Sequence, residues 1–215
     1  MKAIKCFFVA FLLLIASSVM ANNEDIFKVE ALKTVSDFCR LEFSYQDTDE
    51  RDNLIKISPQ RRAWARKDHI FVGALQIDST YEIYAIKSYK ILDLTVKGNE
   101  AVATVSYDML AKRTGWKVHE YKNGTVRGEA IFIEYPKPNY IEKINLTYDG
   151  KRWWVLDPPF PKISVSKIID FFEVQMQRLE KNNPKIKIGQ APSGPQDGYN
   201  EDQRNVMLLK KLAGR

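Results

Sequence analysis

The stretch Ile141 to Asp157, IEKINLTYDGKRWWVLD, most constrains the fold of this chain. Ile144, Leu146 and Tyr148 alternate with Asn145 and Thr147, the period-2 pattern of a strand with one buried face. Asp149-Gly150 then offers the φ > 0 residues that a two-residue hairpin turn demands. On the returning strand, Trp153 and Val155 point one way and Trp154 and Leu156 the other, so both faces are apolar and both call for cover. Asp157-Pro158-Pro159 ends that strand, because proline cannot donate to a ladder. Two covered faces predict a curved sheet, with a filled or ligand-bearing hollow on one side and a helix on the other.

Strand signals continue upstream, over about Asp78 to Asp157. In Tyr81 to Val96 the apolar phase changes: Tyr89 and Ile91 fall on one face, Leu92, Leu94 and Val96 on the other, which predicts a bulge. Gly98-Asn99 turns the chain, and Ala101, Ala103, Val105, Tyr107 and Met109 line one face of the next strand. Lys112 to Gly115 reads as an interruption, Asn123-Gly124 as a second two-residue turn, and Ala130 to Tyr135 as a further strand. Consecutive hairpins predict an antiparallel meander of five or six strands.

Helices are expected on either side. From Asp25 to Tyr45, the line Phe27, Ala31, Val35, Phe38/Cys39, Glu42 recurs at helical spacing. The acidic run Asp47, Asp49, Glu50, Asp52 fails as a calcium loop: its sixth position is Asp52 instead of glycine and its twelfth Ser58 instead of glutamate, so a solvated loop is predicted. Ser58-Pro59 opens a short basic helix to Lys67 around Trp64. Ser164 caps a helix to about Lys181, with Val165, Ile168, Phe172, Met176 and Leu179 in one stripe. Residues 182–215 are rich in Pro, Gly, Asn and Gln and read as a flexible tail holding at most a short helix, Glu201 to Leu212.

The first 21 residues, MKAIKCFFVAFLLLIASSVMA, have the charged, apolar and small-residue regions of a cleaved secretory signal. Their apolar run is shorter than the ~18 residues of a spanning segment. The expected chain therefore begins near Asn22, is periplasmic or secreted, and has no transmembrane anchor. Loss of Lys2 and Lys5 takes the formal charge from +6 to +4, and +3 of that lies in residues 182–215. A nearly neutral body argues against nucleic acid as partner. Cys39 is the single cysteine left, so stability rests on packing and not on an internal disulfide.

Catalytic and metal motifs are missing. No G-x-S-x-G, H-E-x-x-H, C-x-x-C or phosphate loop occurs, and two histidines, His69 and His119, do not make a metal site. No cofactor is expected.

Two stretches, YKILDLTVKGNEAVATVSYDML and INLTYDGKRWWVLDPP, together with the order helix, helix, curved meander, resemble the nuclear transport factor 2-like (cystatin-like) superfamily over residues 24–160. That resemblance implies an α+β fold, with N-terminal helices packed on a cone-like antiparallel sheet and any site inside the cone. Its enzymatic members place Asp, His and Tyr there, and no Asp-His pair in this chain matches. The helix beyond Ser164 departs from the family pattern. The expected organisation is a signal over 1–21, the α+β domain with its C-terminal helix over 22–181, and a tail over 182–215.

Three functions fit these readings. One is a non-enzymatic envelope protein binding a small apolar molecule or a partner protein. Its ligand-binding residues would be Tyr84, Ala103, Tyr107 and Trp153, since two alanines leave volume beside aromatic donors. The second is a periplasmic lipid carrier or an accessory subunit of an envelope complex. The third is an acid–base isomerase or dehydratase using Tyr84, Tyr107, Asp108 or His119.

Overall fold

The computed structural model describes residues 25–45, 48–67, 82–120, 126–189 and 193–214. The expected signal, His69 and the Asn123-Gly124 turn lie outside the described residues, as do the side chains of Trp64 and His119. Helix α1 covers residues 25–44. It buries the predicted line of Ala31, Val35, Phe38, Cys39 and Glu42, with Phe27 half-buried at its start. Among the described residues no helix is long and apolar enough to cross a membrane.

The acidic stretch after α1 is not a plain loop. Thr48–Asp52 forms a short helix, α2, and Ile55–Lys56 a two-residue strand, β1. What organises it is Arg51, fully buried against Glu42 of α1, which a charge run in sequence hides. Helix α3, Pro59–Lys67, starts as predicted, with Ser58 Oγ accepting from the Arg61 amide at 3.1 Å. The Ser58 amide in turn donates to Asp157 Oδ1 at 2.8 Å, which ties this corner to the end of the sheet.

Strands β2 (Ile83–Lys97), β3 (Glu100–Glu120), β4 (Val126–Glu134), β5 (Asn139–Tyr148), β6 (Trp153–Leu156) and β7 (Lys162–Ser164) complete a strongly curled open sheet, a half-barrel. The order is β1-β6-β5-β3-β2-β7, with β4 on the far half of β3. β3 does not break at Lys112 to Gly115; it runs on, pairing β5 through Glu100–Asp108 and β4 through Ala111–Glu120. The interior of the sheet is antiparallel as expected. Its two margins are not: β1 runs parallel to β6, and β7 parallel to β2.

Bulges generate the curl. The one predicted near Ile91 and Leu92 is present, since Ile91 pairs with Val105 and Asp93 with Thr104. Leu92 is the extra residue and is exposed, and skipping it returns Leu94 and Val96 to the face shared by Tyr89 and Ile91. A second irregularity, invisible in the sequence, lies at Leu110. Ala85 pairs with Ala111 but Ile86 pairs with Met109, so Leu110 has no register partner on β2. Neighbours Ala85 and Ile86 point to opposite faces; so, then, do Ala111 and Met109, although they look in phase. The sheet therefore switches its covered face.

Two cores follow from that switch. Under α1 lie Ala101, Ala103, Val105, Tyr107, Met109, Ile144, Leu146, Trp153 and Val155. Beyond Leu110, Ile83, Ala85, Ala111, Phe132 and Ile163 form a second core with helices α4 (Val165–Asn182) and α5 (Ser193–Leu212). Ser164 caps α4 as expected, accepting from the Lys167 amide, and Val165, Ile168, Ile169 and Phe172 are its buried residues.

Helix α5 corrects the flexible-tail expectation. After a 3-10 turn at Ile186–Ile188 it packs along α4 and β4, burying Val206 and Leu209. Apolar residues spaced thinly among Gly, Gln and Asn suffice here, because α4 and β4 provide the other wall.

The hairpin between β5 and β6 also differs from expectation. Tyr148 pairs with Trp153, and the Asp149 amide bonds to the Arg152 carbonyl, so the tip falls at Gly150-Lys151, one residue later than predicted. Gly150 has φ +90°. The reason is Asp149, whose Oδ1 accepts from the Lys151 and Arg152 amides at 3.0 and 3.1 Å and whose Oδ2 accepts from Trp154 Nε1 at 2.8 Å. Trp153 and Val155 are buried, whereas Trp154 and Leu156 are half-buried. On the Trp154 side the Arg152 guanidinium lies over the indole, 3.6 Å from its ring centroid.

Candidate functional site

The residues richest in chemistry gather where β7 meets β2 and β5. Tyr84 and Lys162 are register partners. Lys162 is 1% exposed, and its ammonium contacts the Glu142 carboxylate. The same nitrogen lies 5.3 Å from the Tyr107 ring centroid and 5.6 Å from that of Tyr84. Its main-chain amide donates to Glu42 Oε2 at 3.0 Å. Glu42 Oε1 accepts from Arg51 at 2.8 Å, and Arg51 reaches Asp52 at 2.6 Å and stands over the Phe38 ring. Burying a lysine and an arginine is tolerated only because each meets a carboxylate.

Toward solvent the cluster becomes aromatic. Tyr84, Tyr135 and Tyr140 are half-buried, with centroids 5.8–6.4 Å apart. Tyr84 donates to Glu82 Oε1 at 2.5 Å, and Lys112 meets the same oxygen at 2.6 Å. Burial, then the bond to Glu82, pushes the Tyr84 phenol well above its ordinary range, so it stays protonated at neutral pH. Tyr140 is raised by burial and by Glu142. The carboxylates are engaged by amines and phenols, which favours a cross-link between strands over a poised base.

The four expected ligand-binding residues fall in one cluster. Ala103, Tyr107 and Trp153 are at most 2% exposed, and Tyr84 is half-buried at the edge. Ala103 pairs with Leu94 on one side and Ile144 on the other, in the core shared with Ala31 and Val35 of α1. The volume that two alanines leave is what lets the helix approach. Trp153 stacks edge-on to Phe27 at 6.0 Å, and Tyr148 closes the trio at 4.8 Å from Phe27. Tyr107 and Trp153 make no polar hydrogen bond to nitrogen or oxygen among the described residues; Tyr107 sits against the Cys39 thiol. Of the residues weighed for acid–base work, Tyr84 and Tyr107 share Lys162, while Asp108 alternates to the other face of β3. Sequence reading missed Lys162, Glu142 and Arg51. Their signal was a lysine beside Ile163 at the mouth of a helix cap, and it is weak.

Two tests follow from this packing. Ala103→Leu should cost about 1–3 kcal/mol by overpacking against α1, read from urea denaturation. Unchanged or raised stability would show unfilled space beneath the helix. The second concerns pH. Burial, reinforced by Glu42, pushes the Cys39 thiol from about 9 up to about 12, and Tyr107 is raised by burial and by Cys39. A group whose folded pKa is raised adds stability that is present below its unfolded pKa and lost as pH climbs toward the folded one. The denaturation midpoint should therefore drop from about pH 9 upward, and Cys39→Ala should lessen the drop between about pH 9 and 12. A midpoint flat to about pH 11 would contradict the burial of this pair.

Apart from these clusters, a groove of about 890 Å³ lies between the start of α1 and the β2–β3 hairpin. Asp25, Phe27 and Lys28 form one wall, and Asp93 to Asn99 the other. Compared with models of known protein families and with curated proteins, the chain matches none.

Proposed function

We propose that this chain is an exported, non-enzymatic envelope protein with a nuclear transport factor 2-like domain, acting by binding a partner protein instead of enclosing a small molecule. The observation that carries the reading is the seating of α1 on the concave face, where Ala103 and Val105 are fully buried. A container for a lipid or an apolar ligand needs that face open. The paired state of the Lys162–Glu142–Glu42–Arg51 network supports a structural role for the polar cluster. Export rests on the secretory pattern of residues 1–21.

The protein purified from its native envelope under mild conditions, then analysed by native mass spectrometry, tests this. The expected result is a protein subunit in fixed ratio and no bound lipid. A stoichiometric phospholipid or other apolar molecule would overturn the reading in favour of a carrier.

A further inference from the structure

Strand β2 is paired unevenly. β3 covers one side along its whole length, but on the other β7 meets only Tyr84 to Ile86. Among the described residues nothing pairs with the outer edge of Asp93 to Lys97, and the open groove lies beside it. Which backbone groups face out can be read from the turn. Gly98-Asn99 is a two-residue hairpin with φ +58° at Gly98, closed by Lys97 and Glu100. A closing pair exchanges both hydrogen bonds, and the bonded pairs then alternate along the ladder. Lys97, Thr95 and Asp93 therefore bond to β3, while Val96 and Leu94 present their N–H and C=O groups to the groove.

We propose that this edge pairs antiparallel with the same edge of a second copy of the chain, about a two-fold axis through Thr95. In that register Leu94 bonds to Val96 of the second copy and Val96 to its Leu94, which satisfies the outward backbone groups. The exposed side chains then match. Asp93 faces Lys97 of the second copy, Lys97 faces its Asp93, and Thr95 faces Thr95. A shift of the axis to Leu94 or Val96 sets Asp93 opposite Thr95 or Asn99 and loses both ion pairs. Charge therefore selects one register. The bulge at Leu92 ends the pairing on one side and the Gly98 turn ends it on the other, so the contact is short and self-limiting.

Helix α1 supplies further surface. The Phe43–Tyr89 ring contact, 5.4 Å, shows which flank of α1 faces β2. Asp25, Lys28 and Leu32 follow one another on that flank at helical spacing, and Leu32 is 42% exposed. An added strand would lie beneath it. The proposal concerns self-association alone and does not depend on what the domain binds.

Sedimentation velocity on the chain from Asn22 onward, over a micromolar concentration series, tests it. The wild-type chain should dimerise. Asp93→Lys and Lys97→Asp, each placing like charges opposite one another twice, should weaken the dimer roughly tenfold or more. The double variant Asp93→Lys, Lys97→Asp should restore it. Both sites are exposed, so melting of the monomer should hardly change, and this is checked by circular dichroism. A monomeric wild type, a dimer indifferent to the single reversals, or no recovery in the double variant would each overturn the proposal.

Discussion

Truncation after Lys181 should lower the melting temperature by roughly 10 °C or more, as three buried apolar side chains at ~1.5–3 kcal/mol each imply for a domain this size. Those side chains are Val206 and Leu209, buried against α4 and β4, and Ile186 of the 3-10 turn, buried where that turn meets α4 and α5. Their removal also bares Phe132, Ile169 and Phe172, the apolar wall they cover. One buried hydrogen bond is also lost: Asn205 Oδ1 accepts from the Phe132 amide at 3.0 Å, and truncation leaves that amide of β4 to water. Three polar contacts, Lys187–Glu180, Tyr199–Glu180 and Lys210–Glu173, lie at the surface and add little. Thermal unfolding followed by circular dichroism distinguishes the cases. Equal melting of the two chains would mean that α5 is not part of the folded body.

Arg51→Ala should cost about 3–5 kcal/mol, because it leaves the Glu42 carboxylate buried without its countercharge. Glu42 is 2% exposed and retains only the Lys162 amide among its mapped bonds. The same substitution withdraws the guanidinium from the face of Phe38 and from Asp52. If uncompensated charge is the cause, Glu42→Gln in the Arg51→Ala background should recover part of the loss, a coupling that urea denaturation of the two single variants and the double variant measures. Recovery would be absent if Arg51 acted merely by filling space.

These two expectations concern what the sequence concealed. Periodicity announced α1, the face from Ala101 to Met109, the bulge at Leu92 and the cap at Ser164, because each is a local pattern that burial confirms. The bulge at Leu110 left no trace, since Met109 and Ala111 continue the alternation while facing opposite cores. Parallel margins were illegible for a similar reason. β1 and β7 are two and three residues long and owe their existence to a distant partner strand. Lys162 and Arg51 went unnoticed in the sequence, because only Glu142 and Glu42, brought from elsewhere in the chain, permit their burial. As for the expected ligand site, Tyr84, Ala103, Tyr107 and Trp153 do converge. The sequence left open whether the helix from Asp25 to Tyr45 packs on the alanine face or leaves it to a ligand, and α1 packs there.

Whether α1 stays on the sheet decides between a packed domain and a lidded container, and Cys39 reports on it directly. The thiol is 4% exposed on the face of α1 turned to the sheet, and it is the one cysteine from Asn22 onward. Its labelling by a thiol reagent, measured across a denaturant series below the unfolding transition, gives the free energy of the opening that exposes it. A helix that is part of the core predicts very slow labelling, with an opening energy equal to that of global unfolding and the same denaturant slope. Fast labelling that ignores denaturant would contradict this account: α1 would then lift from a folded sheet, and the concave face would be open to a ligand.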